Sequence, residues 1–198
     1  MKKLLVGLLL LWAIWWFFLR EHPAKEPPEG YRLADEPDQQ LVSEPAWQAK
    51  GWTIRPLASY EMRARVLGKK RYYFDDTASL APIDLALGWG SMSDTAVLAH
   101  VSVSQSGRWY DFYADANCPA SLADLAVHSA NVHCIPATDD VYDTLKSLRK
   151  NSLVNLKGYL VEASQGGGPP WRSSLERGDS GNGACEIFWI TEAYEFPP

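Results

Sequence analysis

The sequence predicts a β-rich α+β fold in which an N-terminal transmembrane helix is followed by one domain of antiparallel strands with two short helices. Three observations support this prediction. The chain of 198 residues begins with an apolar run, its later part alternates β-branched and aromatic segments with turn residues, and only two stretches carry helix-start signals. With 46% hydrophobic residues, 9 Trp, 9 Tyr and 6 Phe, the chain has ample apolar surface for a core, which excludes disorder for most of it.

The apolar run at residues 4–19 predicts a membrane anchor. Lys2 and Lys3 precede the run and Arg20 closes it. As a helix, these sixteen residues rise about 24 Å, short of a hydrocarbon core of about 30 Å, but the basic side chains at both ends can reach the interface. A cleaved signal peptide is the alternative, yet no good A-x-A-like site follows the run. We therefore expect an uncleaved anchor over residues 1–20, with the lipid bilayer as its partner.

A spacer and a single domain are predicted after the anchor. Residues 21–48 are rich in Pro and acidic residues, which is typical of a semi-extended linker, and residues 49–198 have the size of one domain. An apolar segment so close to the start favours a signal anchor, so we expect a single-pass protein of the inner membrane whose C-terminal domain is periplasmic. The net charge of -5 and the lack of a long basic run predict no nucleic-acid partner.

Strand signals fill most of the domain. Residues 60–66 and 71–74 predict a hairpin that turns at 67–70, and residues 97–103 and 109–113 predict a second hairpin. Two further strands are expected at residues 153–163 and 185–196 because of their β-branched and aromatic content.

The two predicted helices begin at clear capping residues. Ser121 with Asp124 resembles a capping box for a short helix to about His128. Thr138 caps a second helix that has acidic residues in its first turn and basic residues in its last, as the helix dipole favours. This order of elements suits a sheet capped by helices or a small barrel, and an oligonucleotide/oligosaccharide-binding (OB)-like barrel is one candidate.

The three cysteines leave the redox compartment open. Cys118 and Cys134 would close a sensible short loop in an oxidising compartment, with Cys185 left free. Three unpaired thiols in a reducing compartment fit the sequence equally well.

One short pattern looks catalytic but lacks the structural context that its chemistry needs, and no metal-binding motif is found. Residues 178–181 read Gly-Asp-Ser-Gly, as in the nucleophile segment of trypsin-like serine proteases, with His133 as the base. Ser180 follows His133 by only 47 positions, which is too few to build the two β-barrels of that fold. The chain has neither a His-Glu-x-x-His nor a Cys-x-x-Cys motif, so no metal and no other cofactor is predicted.

The long loop at residues 164–184 is the main candidate for a functional site, because loops of this length are usually functional or disordered. Its arginines can clamp a carboxylate or phosphate, and its Trp can stack on a ring or a sugar. The alternative, which is the more common arrangement, is that its Arg and Asp side chains pair with each other and with the backbone. The ligand-binding candidates are Asn131, Trp171, Arg172, Arg177 and Glu186.

Several phrases of the chain occur together in a known group of proteins. They lie at residues 84–90, 92–94, 104–108, 131–137, 156–161, 171–175 and 183–186. In combination, over about residues 82–191, they resemble an uncharacterised family of small bacterial membrane-anchored envelope proteins. The resemblance implies a bacterial origin and a single domain, and it implies no activity, substrate or catalytic residue.

These observations leave two function hypotheses. The first is a non-catalytic, membrane-tethered binding or assembly module of the bacterial envelope, with an envelope protein or a glycan as its partner. The second is a hydrolase or transferase with a site formed by residues 128–133 and 171–186, whose catalytic candidates are His133 as general base, Ser173 and Asp179. The most informative structural observation is whether these two segments converge on one pocket.

Overall fold

A computed structural model describes residues 5, 7–9, 12, 22–176 and 185–198 of the chain. The described part is a β-rich α+β fold with four short helices, one of them a 3₁₀ turn, and a mixed sheet of eight strands beside a two-stranded hairpin. The strands are β1 (Asp38–Leu41), β2 (Trp47–Ala49), β3 (Trp52–Arg71), β4 (Ile83–Gly88), β5 (Val101–Ser106), β6 (Trp109–Ala114), β7 (Ser129–Pro136), β8 (Leu153–Ser164), β9 (Trp171–Arg172) and β10 (Glu186–Phe196). The helices are the 3₁₀ turn Gly90–Ser93, α1 (Thr95–Leu98), α2 (Leu122–Val127) and α3 (Asp139–Ser147).

Strand β3 closes the sheet on itself because it pairs with two neighbours. Its residues 53–65 run antiparallel to β8, and its residues 65–71 run antiparallel to β4. From β4 the ring continues through β7 and β10 back to β8. The prediction of antiparallel strands is wrong for β7 and β10, which run parallel, so the sheet is mixed. Register shifts at Pro56/Ala58 and Val66/Gly68 let this twenty-residue strand bend around the barrel. The hairpin predicted around residues 67–70 is therefore wrong, because residues 60–71 belong to this one bent strand and residues 72–74 form no strand.

The interior of the barrel is filled by alternate residues of its strands. On β4 the inward side chains include Leu85 and Leu87, and on β7 they include Val132 and Cys134. Helix α3 packs onto the same cluster, and Thr138 accepts a hydrogen bond from the third backbone N–H after it, as the capping prediction requires. The strands predicted at residues 153–163 and 185–196 are confirmed as β8 and β10.

Hairpin β5–β6 covers the outer face of β4 and makes a second apolar cluster around Ala86, Met92 and Leu125. Its first strand starts later than the predicted residue 97, because Asp94 caps α1 and holds residues 95–98 in a helix. The predicted short helix after Ser121 is confirmed as α2. Cys118 packs on this outer cluster whereas Cys134 faces the barrel interior, so the two thiols lie on opposite sides of the sheet and are unpaired.

Residues 22–34, which we call the strap, lie against the barrel although they form no helix or strand. The backbone N–H of Ala24 donates to the carbonyl of Lys150 at 2.7 Å. Further along, Leu33 is buried, its N–H donates to Ser93 Oγ at 2.9 Å, and its carbonyl accepts from Gly90 at 2.6 Å. The stretch assigned to a spacer thus packs on the domain and contributes β1 and β2, while the domain boundaries themselves stay a prediction.

Arg65 fastens the strap to the barrel. Its guanidinium is fully buried and donates to Glu26 Oε1 at 2.8 Å, which is the charged contact with the strap. It also donates to Ser93 O, Thr95 Oγ1 and Asn151 Oδ1. A buried guanidinium needs such a full set of acceptors, because each missing bond would leave a charged donor without solvent.

Among the described residues, no helix is long and apolar enough to cross a membrane. Most of residues 4–19 fall outside the described part of the chain, so the anchor over residues 1–20 stays a prediction.

Replacing Arg65 tests the strap. We expect Arg65→Met to lower the free energy of unfolding by about 3 kcal/mol, because it strips several buried acceptors of their donor. Urea unfolding of the full chain gives this value, and hydrogen exchange should show faster exchange at Ala24 and Leu33. Arg63→Met is the matched control, since Arg63 is exposed on the same strand and only stacks over Phe196 at 4.5 Å. Equal losses in the two variants would contradict the strap contact.

Candidate ligand-binding cleft

Four parts of the chain surround one cavity of about 350 Å³ at an end of the barrel. They are the loop 72–82 between β3 and β4, the tip of hairpin β5–β6, strand β7 at His133, and β9 together with Cys185 just before β10. A volume of this size is within the range of small-ligand sites. We call this cavity the cleft, and it is lined by Thr77, Arg108, Trp109, His133, Trp171, Arg172 and Cys185.

His133 and Trp171 form the aromatic wall of the cleft. His133 lies on the outer face of β7, because its neighbours Val132 and Cys134 face the barrel interior. Trp171 is held by the pairing of β9 with β8, opposite Ala163. The two ring centroids are 4.9 Å apart with an interplanar angle of 42°. The sequence segments 128–133 and 171–186 therefore meet at the cleft, through His133 and Trp171.

Arg108 fixes the hairpin tip over the loop 72–82. It has a left-handed backbone, with φ at 70°, which turns the chain between β5 and β6. Its Nη2 donates to both carboxylate oxygens of Asp75 at 2.8 and 3.1 Å, and its Nη1 donates to Asp84 Oδ1 at 2.7 Å. The guanidinium also stacks on Tyr72, with its central carbon 3.7 Å from the ring centroid. One side chain thus joins two otherwise separate walls.

Asp84 is the buried acid beneath the cleft, with 1% of its surface exposed. Its Oδ1 lies 2.9 Å from Nδ1 of His133, but the two groups are not aligned for a hydrogen bond. Its Oδ2 has no hydrogen-bond partner among the described residues. The ion pair with Arg108 is therefore what compensates this buried carboxylate.

The charged groups at the rim also shift one another's protonation. For Asp75, burial would raise the pKa, but the hydrogen bonds from Arg108 and Thr77 outweigh burial and the pKa lies below its ordinary value. Burial is the main reason why the pKa of Tyr72 is raised. At neutral pH Asp75 is therefore ionised and Tyr72 is neutral, and in these states both residues can hold Arg108 in place.

Arg172 reaches the cleft but is already paired. Its Nη1 donates to Glu162 Oε2 at 2.8 Å, and the other oxygen of Glu162 accepts from Arg55 at 2.6 Å. The hydrogen bond from Arg55 is the largest cause, with that from Arg172 adding to it, of a lowered pKa for Glu162. Arg172 is thus paired within the protein, but its partner is Glu162 of β8 and not an Asp of the loop, which the alternative expects.

The remaining predicted site residues have mainly structural contacts. Ser173 is buried, and its hydroxyl donates to the carbonyl of Ser174 and accepts from the backbone N–H of Ile187. Asn131 is buried and donates to the carbonyl of Arg108 at 3.1 Å, so it supports the hairpin tip. Glu186 is buried at the start of β10.

Two of the predicted site residues lie outside the described residues. They are Arg177 and Asp179, which belong to residues 177–184 of the long loop. The structure therefore tests neither of these two predictions.

Sequence reasoning missed the residues that the hairpin and the first loop bring to the cleft. They are Thr77, Arg108, Trp109 and Cys185. A cation and an indole side by side at a hairpin turn were the available signal for Arg108 and Trp109, because turns usually carry small polar residues. The described residues contain no group of three or more His, Cys, Asp or Glu side chains with the geometry of a metal site.

Tyr110 ties β6 to β7 below the cleft and should make stability sensitive to alkali. Its hydroxyl hydrogen-bonds with Ser129 Oγ, and burial raises its pKa to about 12 from 10.0. Between those pH values the unfolded chain loses this proton and the folded chain keeps it, so the free energy of unfolding should fall by roughly 2 kcal/mol as the pH rises. Urea unfolding across this range measures the fall.

Tyr110→Phe should remove this alkaline dependence, whereas Tyr113→Phe should keep it, because Tyr113 is exposed on the same strand. An unchanged alkaline slope in Tyr110→Phe would show that another group titrates in this range.

The chain was also compared with other proteins. No protein-family model, curated protein or solved structure matches it. What the cleft can do is therefore inferred from its residues and their geometry.

Proposed function

We propose that the chain is a membrane-tethered binding module of the bacterial envelope that receives its ligand in the cleft. The main observation in favour is the meeting of His133, Trp171 and Trp109 in one cavity, although they come from three distant parts of the chain. Aromatic walls with a few polar groups are typical of ligand sites in proteins. Trp109, with 45% of its surface exposed, is available for a ligand to cover.

An OB-like barrel is the finer fold that we propose. In chain order the closed ring consists of β3, β4, β7, β8 and β10, with helix α3 between the third and the fourth of these strands. OB folds are five-stranded barrels that bind oligonucleotides and oligosaccharides on the face of their second and third strands, between loops 1–2 and 4–5. The cleft occupies the corresponding place, because Asp84 and His133 lie on the second and third strands and Thr77 and Trp171 lie in the two loops.

The position of the strap supports an orientation of the cleft away from the membrane. The strap is fastened at Arg65, whereas the cleft begins beyond Arg71, the last residue of β3. Six residues of strand separate the two positions, a distance of about 20 Å. Since the strap docks from Ala24 onward, few residues remain between it and the apolar run. The proposed anchor would therefore attach at one end of the barrel while the cleft opens at the other end.

A binding role fits the described residues better than a hydrolase or transferase. His133 would be the general base, with its Nδ1 2.9 Å from Asp84 Oδ1, but no hydroxyl or thiol of a described residue hydrogen-bonds to its ring. The hydroxyl of Ser173 is committed to two backbone groups, so it is not presented as a nucleophile. Catalysis by such a pair requires the base within hydrogen-bond reach of the nucleophile.

The cleft assignment predicts that one indole controls ligand capture. The full chain, purified in detergent and immobilised, is incubated with protein and glycan fractions of a bacterial envelope. We expect Trp171→Ala to lower the recovery of the retained component about tenfold, as loss of a central aromatic contact does. Tyr194→Ala is the matched control, because Tyr194 is an exposed aromatic on β10 outside the cleft. Equal recovery by the wild type and Trp171→Ala would reject the cleft as the binding site.

The tether and its orientation are tested separately. We expect a reporter that works only outside the cytosol to be active when fused after Pro198, and we expect the chain to stay in the membrane fraction after alkaline washing. Activity of a cytosol-only reporter at the same position would overturn the periplasmic assignment. Release by alkaline washing would overturn the anchor.

A further inference from the structure

We infer that the ligand of the cleft is an uncharged oligosaccharide. This inference rests on the proposed binding function and adds the chemical class of the ligand. It is drawn from the balance of charges around the cleft and from the exposed aromatic side chains on its rim.

The cations of the cleft are all matched by carboxylates of the protein. Arg108 is shared between Asp75 and Asp84, and Arg172 is paired with Glu162. Glu162 also binds Arg55, so among the described residues three guanidinium groups stand against three carboxylates. Among the described residues, the cleft therefore presents hydrogen-bonding groups but no unpaired guanidinium.

This balance disfavours the other ligand class of OB-like folds. Single-stranded nucleic acids stack their bases on aromatic side chains, but they also need a groove with positive charge along the phosphate backbone. Here a polyanion would have to displace carboxylates from Arg108 and Arg172 and approach a chain with a net charge of -5. A neutral sugar does not have to displace these carboxylates, and the net negative charge of the chain does not repel it.

The exposed rings offer a series of stacking positions for sugar rings. Trp109 and Trp171 lie in the cleft, and the loop that Arg108 holds carries the exposed ring of Phe74 next to Asp75. One face of the Tyr73 ring is already covered by Arg71, whose guanidinium carbon lies 5.5 Å from the ring centroid. Phe74 has 99% of its surface exposed, which is unusual for a phenyl ring in an ordered loop. Because the C–H face of a sugar ring is apolar, several such rings can bind an oligosaccharide that extends beyond the cleft.

The polar groups of the cleft suit hydroxyl groups, which donate and accept hydrogen bonds at once. His133 is 3% exposed and its Nδ1 is buried 2.9 Å from Asp84 Oδ1, so Nε2 is the ring nitrogen that can meet a sugar hydroxyl in the cleft. The exposed guanidinium of Arg172 can donate to a hydroxyl without leaving Glu162. Recognition of this kind needs no net charge on the ligand.

Calorimetric titration tests the ligand class. The full chain is prepared in a zwitterionic, sugar-free detergent and titrated with the tetramers of N-acetylglucosamine, glucose joined by β-1,4 bonds and glucose joined by α-1,4 bonds. A single-stranded oligothymidylate is titrated in parallel. We expect one of the tetrasaccharides to bind with an affinity that does not change with salt, and Trp171→Ala to weaken it about tenfold while Tyr194→Ala does not.

The double variant Asp75→Asn, Glu162→Gln tests the charge balance itself. It releases the guanidinium groups of Arg108 and Arg172 from two of their carboxylates. We expect it to gain salt-dependent binding of oligothymidylate that the wild type lacks. Oligothymidylate binding to the wild type would overturn the inference, because the paired arginines would then not exclude a polyanion.

Failure of the inference can be told apart from failure of the proposed function. No binding of any tetrasaccharide, while an envelope component is still captured in a Trp171-dependent way, would overturn the sugar and leave the binding module. If the component that the chain captures from the envelope is a peptide, the sugar inference is likewise overturned and the binding module is left. Sugar binding that is indifferent to Trp171→Ala would instead remove the cleft from both proposals.

Discussion

The bend of β3 is the constraint on which the rest of the fold depends. A strand of twenty residues is several times the usual length, and it serves β8 with one part and β4 with the other. This double pairing closes the ring of strands, and closure removes the open sheet edges that would otherwise need protection. It also sets Arg65 and the loop after Arg71 at different ends of the part of β3 that pairs with β4. The positions of the cleft and of the strap therefore follow from the same bend.

Two arginines with similar contacts secure these two ends. Arg65 binds Glu26 of the strap and three neutral acceptors outside the strap, and Arg108 binds Asp75 of the first loop and Asp84 of β4. In each case a planar guanidinium with several donors joins segments that have no strand pairing with each other. Arg65 acts where no cavity of ligand size opens, and its contacts only hold the strap. Arg108 acts at the rim of a cavity, and its pairing also determines which charges a ligand meets.

The pairing of charges is what separates the candidate functions. The same cleft with unpaired arginines would attract phosphates, and the same His133 beside a free nucleophile would suggest catalysis. Among the described residues Arg108 and Arg172 face carboxylates, and the hydroxyl of Ser173, the predicted nucleophile, is bound to the backbone. What remains accessible is aromatic surface with neutral hydrogen-bonding capacity. Such a surface is suited to binding an uncharged ligand.

The sequence by itself determined those features that depend on short-range patterns. The β-rich class, the capped helix after Thr138 and the strands β8 and β10 were all predictable, because caps and alternating apolar residues act locally. Trp171 and His133 could be named as site candidates from the chemistry of their side chains alone. Only the tertiary structure decided that they meet, that residues 60–71 form one strand instead of a hairpin, and that Arg108 completes the site. These outcomes depend on pairings between distant segments, which local patterns do not encode.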